Sequence, residues 1–190
     1  LGADGFQVLA REELFFVHPN ADGEGRSFAL QDGPDAAHAE VEGVADLFPG
    51  PDLVHAAAGG QLDGDPDSEL VVATIDPAET TLTLHLVQRD PLGTYQRTTL
   101  QTITSPGWPF EDARVTLADF DGDHRDEVVV VARSAWFHRS ATNARLWAFD
   151  DPLDGGAELL SYTRSHAHEA LWALPVDVDD DGTPELGIGL

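Results

Sequence analysis

Cysteine, methionine and lysine are absent from this chain of 190 residues. Without cysteine there is neither a disulfide scaffold nor a thiolate metal site, an absence compatible with secretion that does not establish it. Basic charge is scarce. Ten arginines stand against 35 acidic residues, for a formal net charge of −25. Such an excess repels the phosphates of nucleic acid and the face of an anionic membrane, so neither is expected as a partner, and cations are. No apolar run approaches the ~20 residues of a membrane helix, so no membrane insertion is expected. No secretory leader opens the chain and Leu1 is not an initiator Met. Leu190 falls inside a strand pattern, so the chain reads as a processed or excised piece of a longer protein. The acidity has two readings: a self-repelling surface tuned to high salt, or a GC-rich genome that favours Arg, Ala, Gly and Asp codons.

What the chain does contain is one acidic loop written three times. The copies are Gln61-Leu-Asp-Gly-Asp-Pro-Asp-Ser-Glu69, Asp119-Phe-Asp-Gly-Asp-His-Arg-Asp-Glu127 and Asp177-Val-Asp-Asp-Asp-Gly-Thr-Pro-Glu185. Each runs into an apolar segment: Leu70-Val-Val-Ala73, Val128-Val-Val-Val131 and Leu186-Gly-Ile-Gly189. The interval is constant, since 119 − 61 = 58 and 177 − 119 = 58. A fixed period with matching flanks marks stacked copies of one supersecondary unit.

The loop chemistry is that of calcium. Carboxylates at positions 1, 3 and 5 lie on the concave side of a tight turn. A main-chain carbonyl at position 7 and a carboxylate at position 9 complete an oxygen-only shell for a hard cation. The second loop offers Asp119, Asp121, Asp123, the carbonyl of Arg125, and Glu127. The third offers Asp177, Asp179, Asp181, the carbonyl of Thr183, and Glu185. The first offers Asp63, Asp65, Asp67 and Glu69, with Gln61 in place of the leading Asp. Two to three Ca2+ ions are therefore expected. Pro66 stands at position 6, where a left-handed residue is common and proline is barred from positive φ. His124 tolerates that conformation modestly, and Gly182 freely. The second and third loops thus rank above the first in expected affinity. An EF-hand would place a bidentate Glu at position 12 between helices. Position 12 here is Val72, Val130 or Ile188, inside runs that favour strand.

Strands are predicted near 53–59, 69–75, 81–88, 95–103, 114–118, 127–133, 144–149 and 158–163. Turns are predicted at Asp76-Pro77, Asp90-Pro-Leu-Gly93 and Asp150 to Gly156. The nine residues from Gly5 to Glu13 occupy the loop's place at the start of the chain but lack its Asp ligands, so no calcium is expected there. A strand follows at Arg26 to Leu30, and the stretch from Asp32 to Gly50 is irregular. The fold class is all-β. Four-stranded antiparallel units of this size point to propeller blades, which pack side by side around an axis. Residues 1–50 form a degenerate blade, 51–110 and 111–168 two calcium-loop blades, and 169–190 the start of a further one. These amount to about three and a half of the roughly four to eight blades of a closed ring.

The segments Ala118 to Val130 and Val176 to Leu186 resemble the FG-GAP/VCBS repeats, the blade type of the integrin α-subunit propeller. The resemblance is strong over 53–190 and weak over 1–50. It implies a seven-bladed propeller with calcium loops between the first two strands of some blades. It also implies an extracellular or cell-surface setting, and a non-catalytic role in adhesion or recognition. The partner would be a protein or glycan ligand, or the rest of the propeller on another segment or chain. Two alternatives stand beside it: a lectin-like module with sugar held between aromatics, or the propeller part of a secreted hydrolase or toxin.

Other candidates read as structural. His166-Ala-His168 has the i, i+2 spacing of a zinc pair on a strand, and we read it as an exposed connection between strands. Trp108, Trp136, Trp147 and Trp172 read as interface packing, with Trp136-Phe-His138 the best candidate for an exposed rim. Ser161, Ser165, His166 and Asp150 show no triad spacing, and no G-x-S-x-G elbow occurs, so no active site is expected.

Overall fold

Dense β-branched residues and alternating polarity decide the elements. The computed structural model describes residues 6–10, 13–19, 26–32, 47–48, 52–64, 69–89, 94–105, 107–135, 142–154, 157–165 and 172–189. Four antiparallel meander sheets account for the strands among them. The first contains β1 (Phe6–Ala10), β2 (Glu13–Pro19) and β3 (Arg26–Asp32). The second contains β4 (Leu53–Gly60), β5 (Glu69–Ile75), β6 (Thr81–Arg89) and β7 (Tyr95–Thr104). The third contains β8 (Phe110–Ala118), β9 (Glu127–Ala135), β10 (Thr142–Asp150) and β11 (Ala157–Ser165). The fourth pairs β12 (Trp172–Val176) with β13 (Glu185–Gly189). A short 3-10 turn, Pro152–Asp154, follows β10, and no α-helix occurs among the described residues.

The all-β reading stands, with local corrections. Strand β8 begins at Phe110, not near residue 114, because a register shift between Phe110 and Asp112 hides its first residues from a search for strict alternation. At the start of the chain, strand β1 stands where the acidic loop would lie, and Ala10 pairs with Glu13. The turn at Asp90 to Gly93 lies outside the described residues, as does most of the irregular stretch from Asp32 to Gly50. The turn after β5 holds through Asp76, whose Oδ1 accepts the N–H groups of Thr80 at 2.7 Å and Thr81 at 2.6 Å.

Strand β5 is buried at every position from Glu69 to Ile75. A strand buried on both faces needs a packed layer on each side. On one face Val71, Ala73 and Ile75, with Ala56 and Ala58 of β4, meet Phe110, Ala113, Val115, Val128 and Val130 of the third sheet. On the other, Val54, Leu70, Val72 and Val87 pack with Leu47, Phe48 and Tyr95. Strand β9 repeats the arrangement. Val128 and Val130 face the second sheet, while Val129 and Val131 join Ala144 and Leu146 against Ala173 and Leu186 of the fourth. Each fully buried Val or Leu contributes roughly 1.5–3 kcal/mol. The first strands of successive sheets are neighbours: β1 lies by β4, β4 by β8, and β8 by β12. Thr116 Oγ1 donates to the Ala173 carbonyl at 2.8 Å across the last of these junctions. Trp147 is buried in the layer between the second and third sheets, edge-on to Phe110 with ring centroids 6.4 Å apart.

His85 of β6 is buried on the face that holds Leu47 and Phe48. Its Nε2 lies 3.0 Å from Thr74 Oγ1, and the Phe48 ring stands edge-on at 5.5 Å. Burial, aided by the nearby Arg97 charge, pushes its pKa down to about 4. The folded state therefore favours the neutral imidazole. The stability this gives is complete above the ordinary value of 6.5 and is lost as pH falls from there to about 4. Across that window stability should drop by about 1.4 kcal/mol per pH unit for this group. In denaturant melts, the stability difference between the unaltered protein and His85→Gln should follow that slope between pH 6.5 and 4.

Candidate metal centres

Each acidic loop closes the first hairpin of its sheet at one register. Gly60 pairs with Glu69, Ala118 with Glu127, and Val176 with Glu185. The position-9 Glu thus begins the second strand, and its carboxylate turns back into the loop. Glu69 Oε2 accepts the N–H of Leu62 at 2.8 Å, Glu127 Oε2 that of Phe120 at 2.6 Å, and Glu185 Oε2 that of Val178 at 2.8 Å. The position-1 side chain wraps the other end. Asp119 accepts the N–H groups of Gly122 at 2.6 Å and His124 at 2.9 Å. Asp177 accepts those of Asp181 at 3.2 Å and Gly182 at 3.0 Å. In the first loop the Gln61 amide oxygen takes the same part, accepting Gly64 N–H at 3.1 Å.

Two groups of carboxylates converge. Ligand oxygens of Asp119, Asp121 and Glu127 lie within 4.8 Å of one another, as do those of Asp177, Asp179 and Glu185. Asp123 and Asp181 stand outside these groups of three, and their Oδ1 atoms accept the N–H groups of Arg125 and Thr183 at 2.8 Å each. Arg125 also reaches Asp151 through Nη1 at 3.1 Å. In the first loop Asp63 is exposed and Glu69 buried. Asp65 and Asp67 lie outside the described residues, as do His166, His168 and Trp136. Trp172 is exposed and Trp108 half-buried. Ser165 pairs with Asn143 and Asp150 with Ala157, at opposite ends of the β10–β11 hairpin.

The donor chemistry fits a hard cation. All six converging groups are carboxylates, and their repulsion is relieved by positive charge. Glu127, only 3% exposed, shows the strain of the arrangement. Burial pushes its carboxyl up to about 7 against the pull of the Phe120 N–H, and the charges of Asp121 and Asp119 push the same way. The neighbouring Asp126 is also raised, chiefly by burial.

Backbone conformation adds a requirement at position 4 that sequence reasoning missed. Gly64 and Gly122 both have φ near +81°, and Asp180 has φ +63°. The Asp-Gly turn dipeptides at 63–64 and 121–122 were the available signal. Position 6 also takes positive φ, at His124 (+73°) and Gly182 (+91°). The loops lie side by side: a Cβ at Gly64 would be 3.9 Å from Arg125 Nε, and one at Gly122 3.9 Å from Thr183 Oγ1. Glu127→Ala leaves the Phe120 N–H without its acceptor and should lower stability by about 1–3 kcal/mol. Glu127→Gln, which keeps an acceptor, should lose less in the same chemical melts.

No curated protein matches the chain. Residues 61–130, which run from the first acidic loop through the whole of the second and into β9, match the family model of the FG-GAP-like repeat. Over that segment the chain is similar to the FG-GAP-like repeat.

Proposed function

We propose that this chain is part of a calcium-stabilised β-propeller that serves as a non-catalytic scaffold for recognition or adhesion outside the cell. One observation carries the reading. The same carboxylate group, Asp-x-Asp with the Glu at position 9, recurs in the first hairpin of successive sheets at the 58-residue period. Asp119, Asp121 and Glu127 would hold one ion, and Asp177, Asp179 and Glu185 another. Carbonyls of Arg125 and Thr183 are available to complete the shells. The ion supplies positive charge and stiffens the hairpin, and takes part in no reaction. Stacked sheets with adjacent first strands suit blades around an axis. The partner is a protein or glycan ligand on the loop rim, or the remaining blades on another segment or chain.

Extracellular calcium modules bind at roughly 10⁻⁴–10⁻³ M. At calcium about tenfold above such a Kd, each site adds about 1.4 kcal/mol. Calorimetric titration of the chelated protein should give two or three binding events with a rise in melting temperature. Asp121→Ala/Asp179→Ala should abolish the two strongest. No heat and no thermal shift would overturn the calcium reading.

A further inference from the structure

The second loop reaches into the preceding sheet. The Asp126 N–H donates to the Gln61 carbonyl at 2.6 Å, and the Gln61 N–H donates back to Asp126 Oδ2 at 2.7 Å. This reciprocal pair joins position 8 of the second loop to position 1 of the first, across 65 residues of chain. The half-buried Asp126 carboxylate sits in space that a side chain at residue 60 would fill. A Cβ on Gly60 would collide with Asp126 Oδ2, and would stand 2.9 Å and 3.0 Å from atoms of Leu117. Gly60 thus admits the carboxylate to the junction of β4 and β8. Asp126 is also the chain neighbour of Glu127, the buried member of the second carboxylate group.

We propose that Asp126 is a positioning residue that links ion binding in the second loop to the junction between the second and third sheets. This rests on the calcium reading above. An ion drawn to Asp119, Asp121 and Glu127 fixes the main chain at residues 126–127. That holds both hydrogen bonds to Gln61 in place, and by reciprocity a formed clasp raises the affinity of the loop for the ion. The third loop supplies the contrast. Its position 8 is Pro184, which has neither an N–H to donate nor a carboxylate to accept, so its ion has no such link to the preceding sheet.

The test uses the full chain, with calcium as the probe and amide exchange followed by NMR. In the unaltered protein, calcium should slow exchange of the Gln61 amide about fivefold or more, the lower end of typical site coupling. Asp126→Ala should abolish that response and weaken the second site by a similar factor, measured with the third loop disabled by Asp179→Ala. Asp126→Asn keeps an acceptor oxygen and should restore most of both. Gly60→Ala displaces the carboxylate without altering any loop residue and should mimic Asp126→Ala. The third site, measured with Asp121→Ala, should be indifferent to residue 126. Calcium binding with a Gln61 response that survives Asp126→Ala, or with no Gln61 response at all, overturns the link and leaves the calcium sites standing. No binding at either site overturns both.

Discussion

Burial of the second strand of a sheet on both faces is the constraint on which this structure depends. Strand β5 carries apolar side chains to either side and is sealed along its whole length. Its counterpart in the next sheet, β9, is sealed in the same way over Val128 to Ala132. Neither could survive in an isolated sheet, because one face would remain in water. Face-to-face stacking follows, and the narrow junctions between first strands are lined by small residues such as Ala56, Ala58 and Ala113. Stacking also sets where the acidic loops go. Each first hairpin closes at the same register, so its loop emerges at the same end of its sheet and lies beside the next.

Within that frame the loops are organised by hydrogen bonds before any ion is considered. The position-1 side chain gathers N–H groups from the far side of the turn, and the position-9 Glu secures the near side. The ordering has an electrostatic consequence. It directs several carboxylates at one point and raises the proton affinity of Glu127, the most buried. A divalent cation relieves both the repulsion and the burial of charge.

Much of this was legible in the chain. The period, the loops, the strands that follow them and the Trp147 packing all rest on local patterns or on repetition, which local sequence carries. What escaped has a common character. The start of β8 is masked by a bulge, so alternation fails where the strand is still paired. The turning of Asp123 and Asp181 onto Arg125 and Thr183 depends on loop dihedrals, not on residue type. Asp126 looked like one more acid among 35 until its place against Gln61 was visible.

By itself the sequence determined the unit: four short strands, an acidic hairpin, and a 58-residue repeat, because side-chain periodicity and ligand spacing are properties of neighbours in the chain. Only the tertiary structure decided which carboxylates converge, which glycine a neighbouring acid requires empty, and which loop is tied to the sheet before it. Those outcomes depend on the approach of residues about 60 positions apart, such as Gly60 and Asp126, and the approach is set by how two buried faces pack.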